Sequence, residues 1–303
     1  MTTSAIWTDW SCRVRVAVTR PDSLTAAKQQ VVALMADVAL SADRFSPRSD
    51  VSRVNRAAGR LVPVRRRTME LLDVALAAAD ESNGAVDPTI GAHLLRAGYA
   101  EDITVVRDLL VVTDDDASLP RADWTSVRLD RTLLLAGLPT GVRLDLGATA
   151  KAWTADVAAR HVARSLDTAV LVEIGGDVAV AGSRSRPWQV QVSERSGEPG
   201  QRVGLDHGGI ATSSTISRRW RTTAGAAHHV IDPRTGRPAD GPWRTVTVWA
   251  PTAVGANTAS TAALVLGDDA VTHLRGLDVA ARLVSRDGTV EHVGDWPGET
   301  RAA

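Results

Sequence analysis

The chain has 303 residues, of which 44% are apolar, and its Lys plus Arg and Asp plus Glu totals are both 35. This length can bury a large core, and zero formal net charge provides no global field that would favour nucleic acid or an acidic membrane. The chain lacks a run of 18 apolar residues, which argues against a membrane span. Its single cysteine excludes an internal disulfide. Because the start of the chain lacks a basic segment followed by an apolar stretch, we expect a cytoplasmic protein.

The first third of the chain shows strand and helix patterns in turn. Polar and apolar residues alternate over 12–18, which predicts a half-buried strand. Helical spacing follows over 24–45, after Ser23, a residue type that caps helices. The Ser- and Arg-rich stretch 46–55 predicts a polar loop, and residues 68–84 predict a second helix that ends at a glycine.

The middle of the chain begins with a turn-rich segment, 84–91. Short apolar runs broken by Asp, Pro and Gly predict strands between Ile103 and Leu144. A further strand leads through Gly147 into a helix over 148–166. Residues 169–174 then predict another strand.

The last third predicts mostly strands around one helix, 254–267. The predicted strands cover 178–182, 188–193, 208–214, 228–231, 244–250 and 279–285. Runs of strands between isolated helices favour an α+β fold with mixed or antiparallel sheets flanked by helices. We therefore expect one compact two-lobed domain over 1–293, and a disordered tail over 294–303.

The segment "LDLGATAK" joins a strand to a helix and contains Lys151, one of only two lysines in the chain. The start of a helix offers free N–H groups and the positive end of a dipole, which suit a phosphate or another anion. An ammonium group in the first turn would add a point charge. Many strand–Gly–helix junctions bind nothing, so this segment alone leaves both interpretations open.

Two further segments combine small and polar residues at the ends of strands. In "EIGGD", Gly175 and Gly176 would let a ligand approach the backbone, and Asp177 could bind a hydroxyl or an amide. A tight turn between strands explains the same residues equally simply. In "GGIATSS", Thr212 and Ser213 either line a polar pocket or cap the next element.

The segment "HHVIDPRTGRP" (228–238) contains two adjacent histidines. In an extended chain their side chains point to opposite faces, so one can face a site while the other faces water. The Asp-Pro and Thr-Gly pairs fix the backbone around them. A surface hairpin with two solvated histidines is the alternative.

The segment "GANTAST" places Asn257 and Thr261 four residues apart, on one face of a helix. Their oxygen atoms suit a hard cation such as Mg²⁺. On the spacing alone, a helix of small residues packed closely on a neighbour is the stronger interpretation.

Taken in order, these segments resemble the ApbE-type FAD:protein FMN transferases, Mg²⁺-dependent enzymes that move FMN from FAD onto a Thr or Ser hydroxyl of another protein. The resemblance covers about residues 10 to 267. It is carried by "RFSPRSDVSRVN", "VDPTIG", "LDLGATAKAWTAD", "VEIGGDVAVAG", "GGIATSS", "HHVIDPRTGRP" and "GANTASTAALVLG". It implies the fold of that family, with a flavin cleft between two lobes.

The resemblance also implies roles for individual residues. His229 would be the catalytic histidine, and Lys151 would lie at the diphosphate of the substrate FAD. Mg²⁺ would be held by the carbonyl of Ala150 and by Asn257 and Thr261. The residues that would contact FAD are Trp10, Ser46, Asn55, Val86, Asp87, Thr89, Lys151, Glu173, Gly175, Gly176, Asp177, Thr212, Ser213 and Ile231.

Some residues depart from the family pattern. The family usually has Asp where this chain has Asn257, and Ser214 stands where the family has Gly. The implied partner is an acceptor flavoprotein, for example a membrane-associated reductase subunit. Two alternatives stay open: an enzyme that splits FAD to FMN and AMP, and a flavin-binding relative without catalysis.

Overall fold

A computed structural model describes residues 2–113, 119–195 and 197–297. Its α-helices are α1 (Leu24–Ala42), α2 (Asp50–Arg56), α3 (Arg66–Glu81), α4 (Gly91–Arg96), α5 (Ile103–Val106), α6 (Ala150–Leu166), α7 (Ala253–Leu266) and α8 (Ala270–Gly276). None of the helices in these ranges is long and apolar enough to cross a membrane.

The strands lie before, between and after these helices, singly or in runs. They are β1 (Thr3–Asp9), β2 (Cys12–Val18), β3 (Val62–Pro63), β4 (Leu110–Val111), β5 (Arg128–Asp130), β6 (Leu135–Gly137), β7 (Val170–Ile174), β8 (Asp177–Ala181), β9 (Trp188–Val192), β10 (Gln201–Leu205), β11 (Gly209–Ser214), β12 (Arg219–Thr222), β13 (Gly225–His228), β14 (Ile231–Asp232), β15 (Arg237–Pro238), β16 (Trp243–Ala250), β17 (Ala280–Ser285) and β18 (Val290–Val293). The longest run, β7 to β16, lies between α6 and α7.

The chain divides into two compact units. The first comprises the described parts of Met1–Leu34, Lys151–Ser217 and Gly241–Ala303, and the second those of Met35–Ala150 and Arg218–Asp240. The mixture of helices with mainly antiparallel sheets confirms the predicted α+β class. The predicted single domain and the predicted cleft stay predictions.

The first unit is built on an eight-stranded sheet in the order β1-β2-β7-β8-β11-β16-β17-β18. Every neighbouring pair in it is antiparallel. Helix α7 packs on β11 and β16. Its buried face consists mainly of Ala, Ser and Thr, whose small side chains allow a close approach to the sheet. The predicted strands at 169–174 and 244–250 and the predicted helix at 254–267 are confirmed, within one or two residues.

The hairpin of β9 and β10 covers part of this sheet. Alternate residues of both strands are buried, because period-two alternation places every second side chain on one face. Trp188 of β9 and Leu205 of β10 join Leu171 and Ile210 in one apolar cluster. Trp296 belongs to the same cluster and donates from Nε1 to Gln201 Oε1 at 2.9 Å. The predicted disordered tail is therefore wrong for 294–297, while 298–303 lie outside the described residues.

The second unit contains α2 to α5 and three small sheets, β3-β6-β5, β13-β12-β4 and β14-β15. Its apolar cluster includes Tyr99 stacked on Trp220, with ring centroids 4.9 Å apart. The Trp220 Nε1 donates to the Ala97 carbonyl at 2.8 Å, so the indole is buried without losing its hydrogen bond.

Two sequence predictions in the second unit are wrong. The predicted polar loop 46–55 contains α2, whose first turn is capped because Ser49 Oγ accepts from the Ser52 N–H at 3.1 Å. The region 103–144, predicted as strands, begins with the short helix α5, which Asp102 caps in the same way. In both places a capped turn outweighs the local composition.

Candidate active site

Four hydroxyl and amide side chains meet a buried carboxylate in the first unit. Asn257 donates from Nδ2 to Asp177 Oδ1 at 2.7 Å, and Thr261 Oγ1 donates to Asn257 Oδ1 at 3.3 Å. Ser213 Oγ lies 2.8 Å from both Thr261 Oγ1 and Ser260 Oγ. The structure therefore brings together residues of β8, β11 and α7 in one polar network.

The positions of β8 and β11 explain why Asp177 and Ser213 meet α7. The two strands pair antiparallel, with Ala211 opposite Asp177, and α7 packs on β11. The turn before β8 is tight: a Cβ on Gly176 would lie 2.8 Å from the Thr212 carbonyl oxygen, and the Thr212 N–H donates to the Gly176 carbonyl at 3.1 Å. Glycine is required here by the close approach of two backbones.

The other predicted residues of the first unit lie around the same sheet. Trp10 occupies the β1–β2 turn with a positive φ of 48°. Glu173 of β7 forms an ion pair with Arg13 of β2 at 2.7 Å. Burial raises the pKa of the Glu173 carboxyl, while Arg13 and Arg15 work against that rise. Lys151 lies in the first turn of α6, as predicted.

Sequence reasoning missed Asp156, which orders the start of α7. Its Oδ1 accepts from the Ala253 N–H at 2.9 Å, and its Oδ2 accepts from the Val254 N–H at 3.0 Å. Thr252 caps the same turn by accepting from the Gly255 N–H at 3.0 Å. Burial raises the pKa of Asp156, and the two backbone hydrogen bonds oppose this. Asp156 ends the quoted segment "LDLGATAKAWTAD", but nothing local indicated its partner.

In the second unit, the segment 228–238 forms a turn against α4. His228 ends β13 and its Nε2 lies 3.1 Å from the Ala239 carbonyl oxygen. His229 follows the strand, and both histidines are half-buried, so the structure does not place one of them in open solvent. Asp232 accepts from the Arg234 N–H at 2.9 Å.

The glycine of this turn is also required. Gly236 has φ of +65°, and a Cβ there would lie 2.3 Å from His93 Cδ2. Arg96 Nη2 donates to the Gly236 carbonyl at 2.7 Å. Residues His93 and Arg96 of α4 thus fix the backbone of the turn from one side.

Asp87 and Thr89 bind the loop before β5. Asp87 Oδ1 accepts from the N–H and the hydroxyl of Thr89, at 2.7 and 2.6 Å, and its Oδ2 accepts from the Trp124 N–H at 3.1 Å. Thr89 Oγ1 accepts from the Asp123 N–H at 2.9 Å. Burial raises the pKa of Asp87, while its hydrogen bonds with Thr89 and Trp124 work against that rise. The structure thus gives both side chains a role in holding the loop, while their predicted contact with FAD stays a prediction.

The remaining predicted residues of the second unit differ in exposure. Asn55 exchanges two hydrogen bonds with the backbone of Leu144, at 2.7 and 3.0 Å. Val86 and Ile231 are buried, and Ser46 is half-buried. Ala150 begins α6, where its N–H donates to the Leu146 carbonyl at 2.9 Å.

Sequence reasoning also missed Arg44 of the second unit, whose side chain contacts two aromatic rings and a carboxylate. Its guanidinium carbon lies 4.1 Å from the centre of the Phe45 ring and 4.5 Å from that of Tyr99. Its Nε donates to Asp145 Oδ2 at 2.7 Å, and Asp145 Oδ1 accepts from the Gly147 N–H at 2.7 Å. Arg44 therefore supports the loop that precedes α6.

Comparison with known proteins identifies the family to which this chain belongs. The ApbE family model matches residues 8–283. A curated FAD:protein FMN transferase of Treponema pallidum is 33% identical over 286 residues, covering 84% of this chain and 76% of the relative. One of Haemophilus influenzae is 25% identical, with 86% and 78% covered.

Solved structures agree with this match. The ApbE protein of Thermotoga maritima has a TM-score of 0.84 and 26% identity, with 97% of each chain covered. The flavin transferase ApbE of Vibrio cholerae, 20% identical with 99% of each chain covered, has a TM-score of 0.78 and shows the fold alone. The family match over nearly the whole chain, together with these likenesses, places the protein in the ApbE family.

Proposed function

We propose that this protein transfers FMN from FAD to a Thr or Ser hydroxyl of an acceptor protein and releases AMP. The observation that carries the proposal is the family match over residues 8–283, supported by relatives named FAD:protein FMN transferase. The polar network around Asp177 and Asn257 lies within that match. The acceptor is expected to be a flavoprotein, for example a membrane-associated reductase subunit, and the cytoplasmic location stays a prediction.

The reaction we propose is a phosphoryl transfer. The acceptor oxygen attacks the phosphorus on the FMN side of the diphosphate, so that a new P–O bond forms. The bond from this phosphorus to the bridging oxygen breaks, and AMP leaves with that oxygen. The enzyme has mainly to position the two reactants and neutralise charge in such a transfer.

His229 is our candidate for the group that receives the proton of the acceptor hydroxyl. Histidine is the commonest general base because it changes charge near neutral pH. The second half of its segment is held by Gly236 against α4, and His228 contacts the Ala239 carbonyl. This backbone support would keep the His229 side chain in one place. An orienting hydrogen bond to the hydroxyl is the other role open to it.

Lys151 and the start of α6 are our candidates for binding the diphosphate. Lys151 is the second residue of a 17-residue helix, so it lies within reach of the positive end of the helix dipole. An ammonium group and helix N–H groups together suit a phosphate oxygen. We expect this pair to stabilise the charge that develops on AMP as it leaves.

The residues of the network are compatible with Mg²⁺. The Asn257 amide, the Thr261 hydroxyl and the Asp177 carboxylate all offer oxygen, which hard cations prefer. The described residues include no group of three or more His, Cys, Asp or Glu side chains suited to a metal, so a site here would also use neutral oxygens. We propose Asn257, Thr261 and the Ala150 carbonyl as its ligands. A bound Mg²⁺ would neutralise phosphate charge.

One assay separates transfer from the two alternatives. The protein is incubated with FAD, Mg²⁺ and a threonine-containing acceptor flavoprotein domain, and acceptor mass and free AMP are measured. Acceptor that gains the mass of FMN supports transfer. AMP without modified acceptor would indicate a hydrolase, and neither product would indicate a binding protein.

Adjacent histidines offer a matched pair of variants. For His229→Ala we expect transfer to slow by about 10²- to 10⁴-fold, the usual contribution of a general base. His228→Ala loses the contact with the Ala239 carbonyl, which supports the backbone of the segment, so we expect reduced stability and nearly normal turnover. If the His229→Ala variant transfers FMN at the wild-type rate, His229 is not the general base.

A further inference from the structure

The polar network contains a buried carboxylate and a buried carboxamide in direct contact. Asp177 is 2% exposed and Asn257 is 7% exposed, and one hydrogen bond of 2.7 Å joins them. Asp and Asn side chains have nearly the same shape, and they differ in charge. Of the two side chains, only that of Asp177, on β8, can carry a negative charge, because the Asn257 carboxamide on α7 is neutral.

The neighbours of the pair offer oxygen atoms. Thr261 Oγ1 and Ser213 Oγ lie 2.8 Å apart, and Thr261 donates to Asn257 Oδ1. Thr261 is half-buried, so this end of the network lies nearer the surface than Asp177. A cation held by Asn257 and Thr261 alone would have only neutral ligands from α7.

Neutral ligands alone are a poor match for Mg²⁺, which proteins usually bind through one or two carboxylates. We propose that Asp177 supplies the protein's negative charge at the cation site, either as a direct ligand or through the Asn257 amide that it contacts. This inference rests on the proposed function, because the cation itself belongs to that proposal. The sequence indicated only that Asp177 could bind a hydroxyl or an amide, so a role at the cation site is new.

A charge exchange between the two positions tests the inference directly. Binding of Mn²⁺, used in place of Mg²⁺, is titrated by the loss of the electron paramagnetic resonance signal of the free ion. For Asp177→Asn we expect affinity to fall about 10- to 100-fold, as when a group that supports a metal ligand is lost. The double variant Asp177→Asn/Asn257→Asp restores one carboxylate to the pair, and we expect most of the affinity to return.

Two controls keep the result interpretable. Asp206→Asn removes an exposed carboxylate from the same unit, and we expect unchanged Mn²⁺ affinity. Asn257→Asp alone places a second carboxylate beside Asp177, and we expect tighter Mn²⁺ binding. Because this variant adds a charge to the intact Asp177, it remains informative even if Asp177→Asn does not fold. Thermal unfolding of each variant reports whether the fold is retained.

The outcomes separate this inference from the function on which it rests. Folded Asp177→Asn that binds Mn²⁺ as tightly as wild type would overturn the role of Asp177, as would a double variant without recovery. Failure of Asn257→Asp to bind more tightly would also count against it. Wild-type protein that binds no Mn²⁺, yet transfers FMN in the presence of EDTA, would overturn the metal proposal and this inference together.

Discussion

The two compact units hold their candidate site residues by different means. In the first, Asp177, Ser213 and Asn257 lie on two paired strands and on a 14-residue helix packed against both. In the second, Asp87 and His229 lie in turns, where side chains tie down the backbone. A backbone ladder fixes many residues at once, whereas each tied turn depends on one or two side chains. Single substitutions of polar residues should therefore be more damaging in the second unit.

The largest effect we expect comes from Asp50, which is fully buried in the second unit. It accepts from the Arg65 N–H at 2.6 Å and from Thr68 Oγ1 and Arg53 Nη2, each at 2.7 Å. For Asp50→Ala we expect the free energy of unfolding to fall by about 3–5 kcal/mol, because the buried Thr68 hydroxyl and the donors of Arg65 and Arg53 all lose their shared partner. Chemical denaturation measures the loss, and segment-resolved hydrogen exchange should show opening around α2 first. A loss of less than about 1 kcal/mol would contradict the expectation that single polar substitutions are especially damaging in the second unit.

In the first unit, we expect a comparable loss of stability only when a buried apolar side chain is shortened. Leu171 of β7 is 1% exposed and lies in the cluster beneath the β9–β10 hairpin. For Leu171→Ala we expect a loss of about 2–4 kcal/mol, from lost burial and the cavity left behind. The measurement is again denaturation. Exchange that accelerates in the strands of the sheet and not around α2 would support the separation of the two units.

Substitution of Asp156 tests whether the loss of one polar side chain destabilises the first unit. For Asp156→Ala we expect a loss of about 1–2 kcal/mol, since Thr252 still caps the same turn of α7. Thr252→Ala is the matched variant, because it removes the other cap. If either single variant unfolds the sheet, the first unit depends on individual polar side chains as much as the second does.

The smallest effect we expect is a change in how the free energy of unfolding depends on pH. Burial works to raise the pKa of Asp50, but hydrogen bonds from Arg65, Thr68 and Arg53 hold it below its usual 3.8. Its stabilising contribution is therefore fully present above about pH 4 and is lost as the pH falls through the folded-state pKa. Asp50→Asn should show a shallower fall in the free energy of unfolding below pH 4 than wild type does. An equal slope in both proteins would exclude Asp50 as a source of acid lability.

Regular elements of the first unit were the most predictable part of the fold. Residues 254–267 and 244–250 have clear helix and strand periods, and the structure contains α7 and β16 there. Strand β1 was not predicted, since it alternates only between exposed and half-buried positions as an edge strand. In the second unit, α2 was predicted as a loop because its polar residues serve as caps and buried hydrogen-bond partners.

The candidate site was predictable as a set of segments but not as a set of contacts. Glycine pairs, the Asp-Pro turn and the Asn257–Thr261 spacing could be recognised locally, because each reflects a backbone or side-chain requirement within a few residues. Arg44 and Asp156 could not, since their partners are far away along the chain. Asp156 and the Ala253 N–H that it binds are 97 positions apart.

The sequence by itself determined the class of fold, the ordered segments and the resemblance to the ApbE family, because periodicity and turn chemistry are local properties. Only the tertiary structure decided that Asp177 contacts Asn257, 80 positions away, and that Asp156 caps α7. These contacts depend on the pairing of β8 with β11 and on the packing of α7 over β11. Strand order is chosen by the burial of the whole sheet, so no single segment encodes it.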